Sequence, residues 1–226
     1  HGVDHLQGAP VMATDIRASA ALVPRLRHLV AGIERADSVV WDAHKMLMMP
    51  ALVTGVLFRD GRRSYQAFAQ EASYLFAGVG DPASVEWFNL ALRTLECTKR
   101  MMGAKLYVAL ASGGEALFRD YVERVFALAQ ALADKVVASA DMELAVPPEG
   151  NIVCWRYRPA GGPPEGPALD ALQAALRRRA LERGRYYFLQ TRLPRGLYLR
   201  SAIMNPLSEA VDLDGMLEEV REVAKG

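Results

Sequence analysis

His44 and Lys45 stand side by side in ADSVVWDAHKMLMMPALVTGVLF (residues 36–58), a largely apolar run that holds no other histidine or lysine. A charged lysine is rarely fully buried unless it is paired or its amine is put to chemical use. The run reads as buried, so two readings of Lys45 stand. One is a snorkelling lysine at a strand–helix junction. The other is an amine that forms a Schiff base, which needs a desolvated site and a nearby carbonyl cofactor. Other chemistry finds little support. Four histidines and two cysteines, Cys97 and Cys154, form no CxxC and no zinc spacing, so no metal site is expected.

The elements that position these residues follow from the whole chain. At 226 residues, one large or two small domains are expected. The composition, 51% hydrophobic and 23% charged, belongs to a globular protein with a sizeable core. With 27 basic against 26 acidic residues, nothing favours nucleic acid or an anionic membrane as a partner. The Arg177-Arg178-Arg179 run reads as a solvated helix face. No secretory signal opens the chain, and Met46–Phe58, interrupted by Pro50, is too short to span a bilayer. Two cysteines without a disulfide framework suit a reducing cytoplasm.

Along the chain, residues 24–36 read as a helix and turn leading into a short strand, SVVW, and ALVTGVLFRD as a buried strand closed by Asp60-Gly61. Residues 62–84 read as a long functional loop and 84–111 as a helix. Leu117, Tyr121, Val125, Leu128, Leu132 and Val136 recur at steps of three and four, the mark of a second helix. MELAVPPEGNIVCWRYRP reads as two strands around a Pro-Pro-Glu-Gly-Asn turn, followed by a flexible break (160–167), a helix, the strand GLYLRSAIM and a closing helix. This order predicts the end of an α/β domain over 1–113 and a small α+β domain over 114–226.

Four segments in order carry a resemblance. GIERADSVVWDAHKMLMMP resembles the cofactor-lysine segment of the group II pyridoxal-phosphate decarboxylases, which act on glutamate, cysteine sulfinate, diaminobutyrate and aromatic amino acids. EASYLF is similar to that family's mobile-loop segment, with Tyr74 lying 29 residues after Lys45. LECTKRMMGAKLY resembles the helix after the loop, and LYLRSAIMNP the C-terminal strand that carries Arg200. The resemblance covers residues 18–226. It implies the end of the large domain of a type I (aspartate aminotransferase-like) fold, followed by a small C-terminal domain. It implies pyridoxal 5′-phosphate as cofactor, an L-amino acid substrate, and release of carbon dioxide and an amine.

The resemblance also assigns roles. Lys45 would hold the cofactor as a Schiff base, and His44 would lie near its phosphate. Arg200 would grip the substrate carboxylate with its planar fork, and Tyr74 would return a proton to the decarboxylated carbon. An aspartate would pair with the pyridine nitrogen. Asp15, after PVMAT, is the expected one at 30 residues before Lys45; Asp4, in HGVD, is the alternative at 41. A packed core histidine at His44, an aromatic anchor at Tyr74 and a surface ion pair at Arg200 are the plainer readings. A homodimer is implied, or a partner chain supplying the family's N-terminal half. The competing hypothesis is a non-catalytic fragment or assembly subunit with an incomplete cofactor pocket. An aminotransferase on the same fold gives EASYLF no role.

Overall fold

The computed structural model describes residues 12–14, 18–64, 94–96, 99–161 and 164–225. The chain divides into two compact units, residues 1–119 and 120–226.

The first unit is built around a three-stranded sheet in the order β1 (Met12–Thr14), β2 (Ser38–Asp42), β3 (Thr54–Phe58). β1 runs parallel to β2, with Met12 opposite Ser38. β3 returns antiparallel, so that Asp42 faces Thr54. Between β1 and β2 the chain forms 3₁₀ turns, Ala18–Leu22, Pro24–Val30 and Ile33–Arg35, where the sequence predicts a helix. Gly32, at φ 92, breaks the run; an L side chain is strained in that left-handed conformation. α1 (Ala43–Met46) follows β2 directly.

α2 (Gly103–Ala138) is the longest element, interrupted at Gly114, whose φ of 64 and ψ of −172 are not helical. The helix predicted over 84–111 is not seen at the described residues before Gly103. There the Thr94 hydroxyl donates to the Glu96 carbonyl at 3.0 Å, a local bond that competes with helix formation.

The second unit is an antiparallel sheet in the order β4 (Met142–Leu144), β5 (Ile152–Tyr157), β7 (Gly196–Ala202), β6 (Leu189–Leu193). Its helices are the later part of α2, α3 (Gly166–Arg183) and α4 (Ala210–Ala224). Alternation along the strands sends Val153, Trp155, Leu199 and Ser201 to the helix-covered face, where they meet Leu132, Leu176 and Val220. A hydrogen bond from Trp155 Nε1 to Ser201 Oγ, 3.0 Å and buried, ties β5 to β7 inside this core. α4 opens with a reciprocal capping box between Glu209 and Asp212.

The Arg177–Arg179 run is only partly a solvated face. Arg177 donates to Phe188 O and Arg179 to Val223 O, each at 2.9 Å, satisfying carbonyls that would lack a partner near the end of α4 and before β6. Leu199, fully buried in this core, should report the packing. Leu199→Ala is expected to cost about 2–5 kcal/mol by the lost transfer and the cavity left behind, read as a lower denaturant midpoint at unchanged m-value. A shift below about 1 kcal/mol would show that the core is not close-packed there.

Candidate active site

β2 ends at Asp42, and the chain turns at once into the single helical turn Ala43–Met46. Residues three apart on a helix share a face. Ala43 and Met46 take the core side, 2% and 1% exposed, and Ala43 packs with Leu47, Val53 and Phe118. Lys45 is thereby turned outward. Its side chain is 45% exposed and its Nζ lies 2.7 Å from the Asp42 carboxylate. The expectation of a buried lysine is corrected: the apolar run is broken by one short helical turn whose period leaves position 45 outside.

His44 is half-buried. Its backbone N–H donates to Val53 O at 3.3 Å, and its Nδ1 lies 3.1 Å from Val53 O and 3.3 Å from Val53 N. The Nδ1 edge of the ring is therefore committed to the segment entering β3. The Nε2 edge makes no hydrogen bond among the described residues, which leaves it for a ligand. Trp41, three residues earlier on β2, donates from Nε1 to Ser19 Oγ at 3.0 Å and braces the strand that delivers the turn.

Arg200 belongs to the second unit. It lies on the interior strand β7, with Cys154 of β5 and Leu189 of β6 as its cross-strand neighbours. Leu199 and Ser201 face the core, so Arg200 is carried on the other face together with Tyr198. Arg200 as a residue is half-buried, and it makes no hydrogen bond or ion pair among the described residues. A second arginine on this face behaves differently. Arg156 is almost fully buried, stacks over the Tyr198 ring at 4.5 Å and donates twice from NH2 to Glu143, at 2.9 Å. Burial pushes the Glu143 carboxyl up, but hydrogen bonds from Arg156 and Arg158 outweigh it and hold the group below its ordinary range. Burial likewise raises the Cys154 thiol, and the charge of Arg200 opposes that shift. Arg156 is thus a satisfied structural cation, whereas Arg200 makes no such bond among the described residues.

β1 ends at Thr14, the residue before Asp15. Asp15 itself, Asp4 and Tyr74 lie outside the described residues. Among the described residues no group of three or more His, Cys, Asp or Glu side chains could hold a metal ion, and no helix is long and apolar enough to cross a membrane. A groove of about 490 Å³ between the end of α2 and α4, lined by Lys135, Ser139, Asp214 and Arg221 among others, contains none of the candidate residues. Two polar residues beside Lys45 escaped the sequence reading. Asp42 carries no spacing signal of its own, and Thr54 is brought beside it by the β2–β3 register.

The pyridoxal-dependent decarboxylase conserved domain matches residues 17–158, a span that includes β2, the His44-Lys45 turn and β3. The chain belongs to the pyridoxal-dependent decarboxylase family. It is 29% identical over 212 residues to the cysteine sulfinic acid decarboxylase of Rattus norvegicus, covering 88% of this chain and 42% of that protein. To the L-2,4-diaminobutyrate decarboxylase of Acinetobacter baumannii it is 26% identical over 194 residues, covering 86% of this chain and 37% of that protein. Oryza sativa TDC, solved with PLP and tryptamine, has the same fold: TM-score 0.86 at 25% identity, over 96% of this chain and 45% of that one. The α/β fold class expected from the sequence is the one these decarboxylases share. The chain spans less than half the length of the relatives it matches.

Proposed function

We propose that this chain is the C-terminal portion of a pyridoxal-phosphate-dependent L-amino acid decarboxylase in which Lys45 carries the cofactor. The place of Lys45 directly after His44, on the turn that follows β2 inside the span matched by the family, carries this reading, and its amine lies where a ligand can reach it. The donors present fit the group: a reachable primary amine and, beside it, a histidine whose Nε2 edge is open to a phosphate. Pyridoxal 5′-phosphate, when bound, supplies the electron sink for loss of carbon dioxide.

The chain's own residues supply the rest. His44 faces the cofactor phosphate, with its ring orientation set by Val53. Asp15, following β1, pairs with the pyridine nitrogen. The planar fork of Arg200 binds the substrate carboxylate. Tyr74 delivers a proton to the substrate Cα and keeps water and oxygen away from it. EASYLF supports a substrate in the glutamate, sulfinate and diaminobutyrate branch rather than the aromatic one. The protein works as a cytoplasmic homodimer, or with a partner chain supplying the N-terminal half.

Two results test the assignment. The full polypeptide with added pyridoxal 5′-phosphate should gain the visible absorbance of a lysine-bound cofactor, and a substrate amino acid should yield amine and carbon dioxide. Tyr74→Phe should keep carbon dioxide release while part of the product becomes aldehyde and ammonia, with dioxygen as oxidant. Amine at the parent rate, with no aldehyde, would reduce Tyr74 to an anchor.

A further inference from the structure

The Lys45 amine is held by a carboxylate that is itself held from the next strand. Asp42 is the N-cap residue of α1, yet its side chain makes no capping hydrogen bond to the helix, the usual use of an aspartate at that position. It is committed elsewhere. Thr54, directly opposite on β3, donates its hydroxyl to Asp42 Oδ1, and Oδ2 lies 2.7 Å from Lys45 Nζ. The Asp42 side chain is only 15% exposed, so water screens this carboxylate less than an ordinary surface one. The other aspartates nearby are occupied: Asp37 pairs with Arg59 and Arg63, and Asp60 with Arg62. Among the described residues, the charged groups on elements packed against α1 are few. His44 is its neighbour, β3 and the Ala18–Leu22 turn carry none, and α2, which packs Leu106, Ala109 and Phe118 into the same cluster, brings Lys105, Glu115 and Arg119.

We propose that Asp42 is the resting partner of Lys45: anchored by Thr54, it keeps the amine charged and turned toward the end of β2, unreactive toward carbonyl compounds until a ligand displaces it. An opposite charge at this distance favours the protonated amine, and only the free amine adds to a carbonyl. When the amine condenses with an aldehyde, the ammonium proton leaves through the Asp42 carboxylate to solvent. The nitrogen lone pair forms the new bond to carbon, and the carbonyl oxygen departs as water. The device gives the site a guard against stray carbonyl compounds. Its importance rests on the reading of Lys45 as the cofactor lysine, but its test does not.

Reductive methylation of the full polypeptide with formaldehyde and cyanoborohydride, followed by mass analysis of each lysine peptide, reads the free-amine fraction without any cofactor. In the parent protein the labelling rate of Lys45 should reach its midpoint at a higher pH than that of Lys105. Asp42→Asn removes the charge at nearly constant shape, and at neutral pH Lys45 should then label about twofold to fivefold faster relative to Lys105, as expected for a partly exposed ion pair. Thr54→Val, which only loosens the carboxylate, should move Lys45 in the same direction by less. A Lys45 midpoint at or below that of Lys105, or unchanged or slower labelling in Asp42→Asn, overturns the proposal. Failure of pyridoxal 5′-phosphate to attach to Lys45 would instead overturn the cofactor assignment and leave these labelling rates as they are.

Discussion

Lys45→Ala should abolish covalent capture of pyridoxal 5′-phosphate and leave the fold intact. Borohydride reduction of the parent polypeptide with added cofactor should fix one pyridoxyl group on the peptide that contains Lys45. The variant should show neither that label nor the visible absorbance. The structural cost is small because the Lys45 side chain is exposed. Its pair with Asp42 is a partly exposed one, worth about 0–1 kcal/mol, and alanine is the residue most favourable to a helix. A melting curve close to the parent's, with the label gone, therefore separates chemistry from folding. Lys105→Ala is the control and should keep the label. Labelling that persists on another lysine in Lys45→Ala would sink the assignment.

The distinction between reachable and buried also marks the limit of what the residues reveal before folding. The second unit was legible because its signals are local. The helical spacing from Leu117 to Val136 places α2, and the Pro-Pro-Glu-Gly-Asn turn separates β4 from β5. β6 was missed: LQTRL alternates half-buried and exposed positions on a sheet edge and carries no apolar run. It is paired by the hairpin into β7 rather than by its own composition. In the first unit the apolar content of residues 36–58 suggested burial throughout. A single helical turn is too short to show a period, so the outward position of Lys45 became visible only with Ala43 and Met46 placed. The Asp42–Thr54 contact depends on strand register, which no residue spacing announces. Of the candidate site residues, His44 and Lys45 come together on one turn, and Arg200 stands in the other unit.

Arg200→Lys should weaken substrate capture by about 10- to 100-fold in kcat/KM while cofactor attachment at Lys45 stays unchanged. The argument begins with a contrast on one sheet face. Arg156 has its guanidinium filled by Glu143 and the Tyr198 ring, so its charge is satisfied within the fold. Arg200, half-buried between Cys154 and Leu189, makes no such bond among the described residues. A half-buried cation without a protein partner is costly unless an anion completes it. A carboxylate completes it best because two parallel N–H donors match its two oxygens. Lysine keeps the charge but offers a point donor on a flexible stem. The variant therefore loses about one hydrogen bond to a charged group, roughly 1.5–3 kcal/mol, which is the predicted range of the rate ratio. The loss should fall mainly on KM, since the carboxylate is gripped before it leaves. It should vanish for an amine ligand that carries no carboxylate, which the parent and Arg200→Lys should bind equally well. Unchanged kinetics, or equal weakening toward ligands with and without a carboxylate, would return Arg200 to a structural role on β7.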